Sequence, residues 1–490
     1  MSLTRVTYSM IAANVANVED FGAVVGGNAS TNVSAIQAAI DSLPSTGGTV
    51  LINGYYEINA TIQLKDNINL IGAGEGCGLY LTPGTNARVI QAIEVSGWRL
   101  EGLRFDGSGN TTPSLPVLEI GSSTGAPSGP WSKDYVVRDC VIYGGSYEGL
   151  YHEDRSTSPT NGMFDNVTFD ACGRNCVSLE SGRNINFIGC KFLNTNGFSP
   201  QGGIDIEPSA GQTTSQIYVT NCLFRGNTGP NMQINGANWG AGIEVSRIVF
   251  TGNVVDNTDG NVGVVVTGAQ EVVISDNHIT GNGASNGILV TGGDTAGTQY
   301  CQNVIVSNNT IRGQQTSIIV RNFCAGIKIT DNIIITSTVS PFTAIRLIAN
   351  LDPLTGVQII GNSCNGNASV GLGIVCYSED FVISNVLIAN NEIIGCSTGL
   401  LIGQPAKIDT FTVGPNLYAS NTVNIDPTYY TGLNTTQIKP FPLLAAPPAT
   451  GYWFVGDTVY NSAPAVGQPQ GFVCTVAGTP GTWESMANLV

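Results

Sequence analysis

Three glutamates recur at the same position of three neighbouring segments of the chain. The segments read GLYHE, CVSLE and GGIDIE, and they end at Glu153, Glu180 and Glu207. If each segment is a short strand and the strands lie side by side, successive side chains are about 4.8 Å apart. Asp205 precedes Glu207 by two residues, and because side chains alternate along a strand, both point to the same side. We therefore expect four carboxylates in one outward patch.

Crowded carboxylates suit the hydrolysis of glycosidic bonds. Like charges within about 4–6 Å raise the pKa of at least one carboxyl, which keeps an acid protonated near neutral pH. Hydrolysis needs such an acid and a second carboxylate, about 5 Å away for retention and about 6.5–9.5 Å away for inversion. We assign Glu207 as the general acid and Asp205 or Glu180 as the base, with Glu153 in the same patch. Both stereochemical outcomes stay open.

Candidate substrate-binding residues surround this patch. Arg183 and Arg155 would steer a carboxylate or phosphate of the substrate, since a guanidinium binds such groups through charge-assisted hydrogen bonds. Aromatic side chains offer flat apolar faces to a sugar. The ring-bearing candidates are Tyr147, Tyr151, Trp239 and His152.

The carboxylates lie within a repeat that covers most of the chain. Segments of the form apolar-x-apolar-x-polar-Asn-x-apolar recur about every 23 to 32 residues, among them IYVTNCLF, VVISDNHI and VLIANNEI. Each unit contains two or three short strands between Gly, Asn and Asp turns, so it must stack on its neighbours to bury an apolar face. The repeat predicts a parallel β-solenoid.

One column of the repeat carries small polar residues. Its members are Cys140, Asn166, Cys190, Cys222, Asn253, Asn277, Asn309, Asn332, Asn362 and Asn391. Stacked asparagines can hydrogen-bond the backbone of adjacent coils. We interpret the cysteines of the column as free, buried spacers, because a core of this size does not need cross-links.

Charge and composition exclude several classes of partner. The net charge is -16, from 35 acidic and 19 basic residues, so a nucleic-acid backbone would be repelled. No apolar run approaches the roughly 18 residues of a membrane-spanning helix, so we expect no membrane insertion. The N-terminus shows no secretory signal peptide.

The ends of the solenoid need covers, because an exposed end strand invites aggregation. Apolar residues at helical spacing, with Thr31 or Asn32 as the N-cap, predict a capping helix near residues 32–43. Prolines near the C-terminus predict a stiff linker. The expected boundaries are an N-terminal connector at 1–17, the solenoid at 18–437, a proline-rich linker at 438–451 and a small β module at 452–490.

Residues 17–74 resemble the opening of the pectate-lyase-like right-handed β-helix superfamily. The motifs that carry the resemblance are Asp20-Phe21-Gly22, Ala35-Ile36-Gln37-Ala38-Ala39-Ile40, Gly47-Gly48-Thr49-Val50 and Ile71-Gly72. Residues 4–10 are similar to the connector before the β-helix of bacteriophage tailspikes. Residues 456–484 resemble small C-terminal modules of phage polysaccharide-degrading proteins.

The resemblance implies an all-β fold, a right-handed parallel β-helix with an N-terminal capping helix and a small C-terminal β module. It further implies a homotrimeric tailspike, held in the virion at the phage tail or baseplate and in contact with the host surface. Such a protein binds and depolymerises a bacterial capsular polysaccharide or O-antigen. Together with the carboxylates, this predicts endo-glycosidic hydrolysis.

Two alternatives remain at this point. A polysaccharide lyase would use an Arg or Lys base and calcium, as in pectate lyases, with Asp165, Asp170 and Asp205 as ligands. A receptor-binding spike without catalysis would use the carboxylates only to accept hydrogen bonds from sugar hydroxyls. For the hydrolase we expect neither a metal nor a cofactor, since Cys172 and Cys176 stand without a second pair or a nearby His.

Overall fold

A computed structural model describes most of the chain. The described residues are 14–112, 114–121, 131–154, 159–209, 211–236, 244–259, 262–293, 300–335, 342–366, 371–378, 380–403, 408–426, 443–449, 453 and 455–490. Nearly all of their regular structure is β-strand. Among these residues, we find no helix with both the length and the hydrophobicity needed to span a bilayer.

An α-helix covers the first coil of the solenoid, as predicted. Helix α1 (Ala29–Ser42) follows a 3-10 helix (Val18–Phe21), and its buried residues include Ile36 and Ile40. The predicted N-cap was wrong, because the cap is Asn28, whose side chain accepts a hydrogen bond from the Thr31 amide at 3.1 Å. The side chain of Asn32 is buried instead and bonds backbone groups of two other segments.

Three parallel sheets form the walls of the solenoid, and we call them faces A, B and C. Most coils contribute a strand to each face, and each strand pairs in parallel with strands of the coils before and after it. Strand β16 (Val177–Ile188) runs continuously from face C into the next strand position on face A.

The strands of face A, besides the second half of β16, are β1 (Val15–Asn17), β2 (Gly48–Ile52), β5 (Ile68–Gly72), β8 (Arg99–Glu101), β11 (Tyr135–Arg138), β14 (Gly162–Asp165), β19 (Thr213–Thr220), β22 (Glu244–Thr251), β25 (Gln270–Ser275), β28 (Cys301–Gln302), β29 (Ile305–Ser307), β32 (Cys324–Thr330), β35 (Leu354–Ile360), β38 (Ile383–Ala389) and β41 (Ile408–Val413). The strands of face B are β3 (Tyr55–Ile58), β6 (Gly78–Leu81), β9 (Arg104–Asp106), β12 (Val141–Tyr143), β15 (Thr168–Asp170), β17 (Lys191–Leu193), β20 (Leu223–Arg225), β23 (Val254–Asn257), β26 (His278–Gly281), β30 (Thr310–Arg312), β33 (Ile333–Ile335), β36 (Ser363–Asn365), β39 (Glu392–Ile394) and β42 (Leu417–Ala419). The strands of face C, besides the first half of β16, are β4 (Ile62–Gln63), β7 (Ile90–Ile93), β10 (Leu118–Gly121), β13 (Leu150–Glu153), β18 (Ile204–Ile206), β21 (Met232–Asn235), β24 (Val262–Thr267), β27 (Asn286–Thr291), β31 (Thr316–Arg321), β34 (Phe342–Ile348), β37 (Gly371–Tyr377), β40 (Thr398–Gly403) and β43 (Val423–Ile425).

The core lies between the three faces and consists of the inward side chains of each strand. Because the coils are parallel and in register, like residues stack from one coil to the next. The rings of Phe164 and Phe187 stack with centroids 4.7 Å apart, and those of Phe192 and Phe224 do the same at 4.7 Å. The fold is the right-handed parallel β-helix that the sequence predicts.

An asparagine ladder occupies the turn between faces A and B. From Asn253 to Asn391, each asparagine donates its backbone N–H and its side-chain amide to Oδ1 of the asparagine one coil on, at 2.9–3.0 Å. The ladder ends at Asn416, one coil beyond the predicted column. The cysteines are free and buried, as predicted. Asn166 was misplaced by one residue, since it is exposed and the buried Val167 takes its position.

The C-terminal residues form a separate sheet of four strands. These are β44 (Leu443–Leu444), β45 (Thr458–Asn461), β46 (Gly471–Val476) and β47 (Thr482–Ser485). The rings of Trp453 and Trp483 meet edge to face at 5.0 Å. Strand β1 lies within the expected connector and β44 within the expected linker, while the other residues of these two segments lie mostly outside the described part of the chain.

Candidate active site

Face C brings the four predicted carboxylates together. On neighbouring coils, Asp205 pairs with Ser178, and Ser178 pairs with Tyr151. Ile204 and Ile206 point into the core on either side of Asp205, so Asp205 and Glu207 share the outer side as expected. Glu180 and Glu207 follow directly after the paired residues Leu179 and Ile206.

The predicted ladder of three equivalent glutamates needs one correction. Leu179 pairs with Ile206, which makes Glu180 and Glu207 neighbours on adjacent coils. One coil earlier the register shifts, and Glu153 pairs with Ser181 rather than with Glu180. The extra residue is a β-bulge, which bends a strand and re-aims its side chains. It stands where β16 leaves face C for face A.

Glu180 is the half-buried member of the patch. Its Oε2 accepts a hydrogen bond from Oγ of Ser209 at 3.1 Å. The pKa of Glu180 is raised to about 7, chiefly by burial and in addition by the negative charges of Glu153 and Glu207, while the Ser209 hydrogen bond acts in the opposite direction. A carboxyl with this pKa is protonated in a large fraction of molecules at neutral pH, as a general acid must be.

Asp205 lies beneath the surface of the patch. Only 2% of the residue is exposed, and its oxygens accept hydrogen bonds from Asn175 at 3.1 Å and from Gln233 at 3.0 Å. Burial raises its pKa to about 7, with a further contribution from the charge of Glu207. The strand position of Asp205 faces outward as expected, but neighbouring side chains cover this candidate base.

A buried ion pair that the sequence analysis missed supports the patch from below. Nη1 of Arg174 donates to Oε1 of Glu148 at 2.8 Å, and Nη2 lies 3.9 Å from a carboxylate oxygen of Asp205 and 3.9 Å from one of Glu207. The exposed fractions of the two paired side chains are 18% for Arg174 and 2% for Glu148. Burial raises the pKa of Glu148, although the hydrogen bond and charge of Arg174 act in the opposite direction.

The two outer glutamates also accept hydrogen bonds from neutral donors. Glu153 accepts hydrogen bonds from the Tyr151 hydroxyl at 3.1 Å and from the Gln212 amide at 2.9 Å. Glu207 accepts one from the Asn235 amide at 3.3 Å. Burial, with the charges of Glu180 and Glu153, raises the pKa of Tyr151, so its phenol stays protonated and acts as a donor.

Tyr147, predicted to bind substrate, lies at the edge of the patch. The guanidinium carbon of Arg174 is 5.3 Å from the centroid of its ring. The ring of Phe198 is 6.4 Å from it, at an interplanar angle of 58°. Tyr147 and Tyr151 thus flank the carboxylates on one coil, as the sequence predicts.

Other predicted binding residues lie elsewhere. His152 is fully buried and points inward, with Nδ1 donating to the Ser181 carbonyl oxygen at 2.7 Å, and burial lowers its pKa to about 4. It therefore cannot contact a substrate, which corrects that prediction. Arg183 lies on the face A part of β16 and donates to Gln216 at 2.9 Å. Arg174 is a described cation that lies among the carboxylates. Trp239 and Arg155 lie outside the described residues.

The calcium ligands proposed for a lyase do not form a site. Asp165 pairs with Arg138 at 2.8 Å, and Asp170 accepts a hydrogen bond from Asn194 at 2.7 Å. Asp205 lies in the carboxylate patch. Within the described ranges of the chain, no three His, Cys, Asp or Glu side chains are grouped so that they could hold a metal ion.

A signal for the missed ion pair is present in the sequence. Extending the aligned segments toward the N-terminus gives YEGLYHE, RNCVSLE and QGGIDIE. This alignment places Tyr147 beside Arg174 and Glu148 beside Asn175, and the backbone hydrogen bond from Arg174 to Tyr147 agrees with it at 2.7 Å. The reach of the arginine toward carboxylates on two other coils depends on side-chain conformation, which the alignment does not contain.

Comparisons with known proteins agree with this fold. The family described as "Right handed beta helix region" matches residues 159–337. The mannuronan C5-epimerase AlgE3 of Azotobacter vinelandii is 34% identical over 116 residues, which cover 20% of this chain. The matched part is 6% of the length of that curated relative.

Solved structures align over most of the chain. The A-module of the Azotobacter vinelandii mannuronan C-5 epimerase AlgE6 has a TM-score of 0.57 and 18% identity, and the alignment covers 82% of this chain and 99% of that one. A tailspike protein of E. coli bacteriophage HK620 has a TM-score of 0.51 and 16% identity, with 89% and 80% covered. The likeness is one of fold.

Proposed function

We propose that this protein binds a polysaccharide across face C and hydrolyses its glycosidic bonds, with Glu180 as the general acid. The observation that carries the proposal is the half-buried Glu180 carboxyl, whose pKa is raised to about 7 next to Glu153 and Glu207. A protonated carboxyl beside further carboxylates is the arrangement that glycoside hydrolysis needs.

The second carboxylate is Glu207. It lies one coil from Glu180, and the coil spacing of about 4.8 Å fits the separation of about 5 Å typical of retaining enzymes. The guanidinium of Arg174, 3.9 Å from Glu207, stabilises a negative charge there. In this arrangement Glu180 protonates the leaving oxygen while Glu207 attacks the anomeric carbon. Water, deprotonated by the Glu180 carboxylate, then displaces Glu207 from the sugar and restores both groups. These roles reverse the sequence-based assignment, because burial raises the pKa of Glu180 to about 7.

The charge of the site favours an uncharged stretch of polysaccharide. The chain has a net charge of -16, and five carboxylates, those of Glu148, Glu153, Glu180, Asp205 and Glu207, lie in and under the patch. Arg174, a described cation among them, is already engaged by Glu148 and by the carboxylates above it. An anionic sugar at the cleaved bond would therefore be repelled.

A variant of Glu180 tests the proposal. Wild type, Glu180→Gln and the control Glu392→Gln are incubated with purified capsular polysaccharides and O-antigens, and new reducing ends are counted. Loss of a general acid lowers the rate by about 10²–10⁴-fold, so Glu180→Gln should be nearly inactive. Glu392 lies on face B many coils away, and its variant should match wild type. Equal activity of Glu180→Gln and wild type would overturn the assignment.

We further propose that the protein is a homotrimeric bacteriophage tailspike, located in the virion tail, and that its substrate is a bacterial capsular polysaccharide or O-antigen. The resemblance of residues 4–10 and 456–484 to phage proteins supports this, as does the fold shared with the HK620 tailspike. Light scattering tests the assembly, with an expected mass of three times 51.0 kDa. A mass of one chain at micromolar concentration would refute the trimer.

A second candidate is a lyase or epimerase that acts on a uronic acid polymer. The local 34% identity to a mannuronan C5-epimerase favours it, whereas the acidic patch disfavours it. Mannuronan serves as the substrate in the test. Products that absorb in the near ultraviolet would indicate a lyase, and new C5-inverted residues in the proton NMR spectrum would indicate an epimerase. Tight binding of a glycan without any product would support a non-catalytic spike instead.

A further inference from the structure

Phe198 is an exposed aromatic residue beside the carboxylate patch. It is 49% exposed. Its neighbour is the half-buried ring of Tyr147, at 6.4 Å and 58°. The two rings form a partly open apolar corner. Large aromatic side chains left open to solvent beside polar groups are typical of binding sites.

Hydrogen bonds connect the aromatic corner to residues of the proposed active site. The Phe198 amide donates to the Gly173 carbonyl, and Nε of Arg174 donates to the Ser199 carbonyl at 3.3 Å. The same arginine lies over the Tyr147 ring. Since Arg174 also contacts Glu207, one guanidinium links the aromatic corner and the carboxylates.

We propose that Phe198 and Tyr147 form a stacking subsite for a pyranose ring of the polysaccharide, adjacent to the Glu180–Glu207 pair. The inference rests on the proposed function. The C–H face of a pyranose is apolar, and an aromatic face is its natural partner because the ring quadrupole is negative at the face. The surrounding carboxylates disfavour an anionic ring, so the subsite takes an uncharged sugar.

Binding without turnover tests the subsite. The parent protein carries Glu180→Gln, and it is titrated in a calorimeter with cellohexaose, maltohexaose, chitohexaose and hexamannuronate. We expect one of the three neutral probes to bind more tightly than hexamannuronate. Adding Phe198→Ala should weaken that binding at least about tenfold, the typical effect of truncating an aromatic anchor, whereas Phe198→Trp should retain it.

The matched control is Tyr300→Ala in the same parent. Tyr300 is 44% exposed and packs edge to face on Phe323 at 5.1 Å, so it is a comparable aromatic pair far along the chain. It should leave binding unchanged. Equal affinity of the Phe198→Ala variant and the parent, or binding of none of the four probes to the parent, would overturn the subsite.

The two experiments distinguish a failure of the catalytic assignment of Glu180 from a failure of the Phe198–Tyr147 subsite. If Glu180→Gln keeps full hydrolytic activity while Phe198→Ala weakens binding, the subsite stands and the catalytic assignment falls. If Glu180→Gln is inactive while Phe198→Ala binds like its parent, the subsite falls and the catalytic assignment stands.

Discussion

Arg174 donates to Glu148 across 2.8 Å, and this ion pair lies beneath the outer carboxylates of face C. The other end of the same guanidinium is 3.9 Å from both Asp205 and Glu207. One cation thus faces three carboxylates in a region from which much of the water is excluded. Removing either partner of a buried pair leaves an uncompensated charge, which is more harmful than removing both.

Substitution of Arg174 should therefore destabilise the protein strongly. Arg174→Met leaves Glu148 buried without its cation, and we expect the free energy of unfolding to fall by about 3–5 kcal/mol. The double variant Arg174→Met, Glu148→Gln should recover part of that loss. Urea-induced unfolding followed by circular dichroism measures both. If the double variant is less stable than Arg174→Met, the unpaired charge of Glu148 is not the cause of the destabilisation.

The stability of the protein should depend on pH through Asp205. Burial raises the pKa of Asp205 in the folded protein to about 7, above its value of about 3.9 in an unfolded chain. The folded state therefore binds more protons between these values, so stability is lost as pH rises from about 4 to about 7, by at most about 1.4 kcal/mol per pH unit from this group.

Asp205→Asn tests this origin of the pH dependence, because an amide imitates the protonated acid. The variant should be more stable than wild type at pH 8, and its advantage should disappear near pH 4. Thermal unfolding at the two pH values measures the difference. An advantage of equal size at both pH values would contradict the explanation.

The rate of hydrolysis should fall as pH rises above about 7. The general acid must be protonated, and the pKa of Glu180 is raised to about 7 by burial, with a contribution from Glu153. Removing that negative charge lowers the pKa of Glu180, so Glu153→Gln should move the alkaline limb of the profile to lower pH. Profiles of kcat/KM for wild type and Glu153→Gln decide this, with Glu392→Gln as the control. A shift to higher pH would rule out Glu180 as the acid.

Interrupting the asparagine ladder should destabilise the solenoid. Asn309 accepts two hydrogen bonds from Asn277 and donates to Ile274 and Asn332, all of them buried. Asn309→Ala leaves several of these groups unsatisfied, at about 1–3 kcal/mol for each unpaired group. Chemical unfolding measures the loss. The exposed Asn59, which donates to Ser30, provides the control Asn59→Ala, and equal losses in the two variants would contradict a special role for the ladder.

Most of the fold could be predicted from the sequence, because every coil of a solenoid repeats the same pattern of apolar and polar residues. The column from Asn253 to Asn391 followed from the spacing of like residues, because in-register coils must place them over each other. The error at Asn166 arose where the buried position carries Val167 and a neighbouring polar residue imitates the pattern. The helix start was missed because Asn32, a typical cap residue, serves as a buried connector instead.

Only part of the site could be predicted from the sequence. Strand alternation correctly placed Asp205 and Glu207 on one side, and the same rule should have sent His152 inward, since it lies between Tyr151 and Glu153. Neither the bulge at Glu180 nor the burial of Asp205 is encoded in a repeat, because both depend on side chains from other coils. The roles assigned to the carboxylates changed for that reason.

The asparagine ladder has a consequence for the evolution of the rod. The hydrogen bonds from each ladder residue to Oδ1 of the next asparagine run in one direction, from Cys222 to Asn416, and each coil contacts mainly its two neighbours. A whole coil could therefore be duplicated or deleted after Asn253, provided that the junction keeps its asparagine. The molecule can change its length in this way while the carboxylate patch, which lies upstream, keeps the same shape.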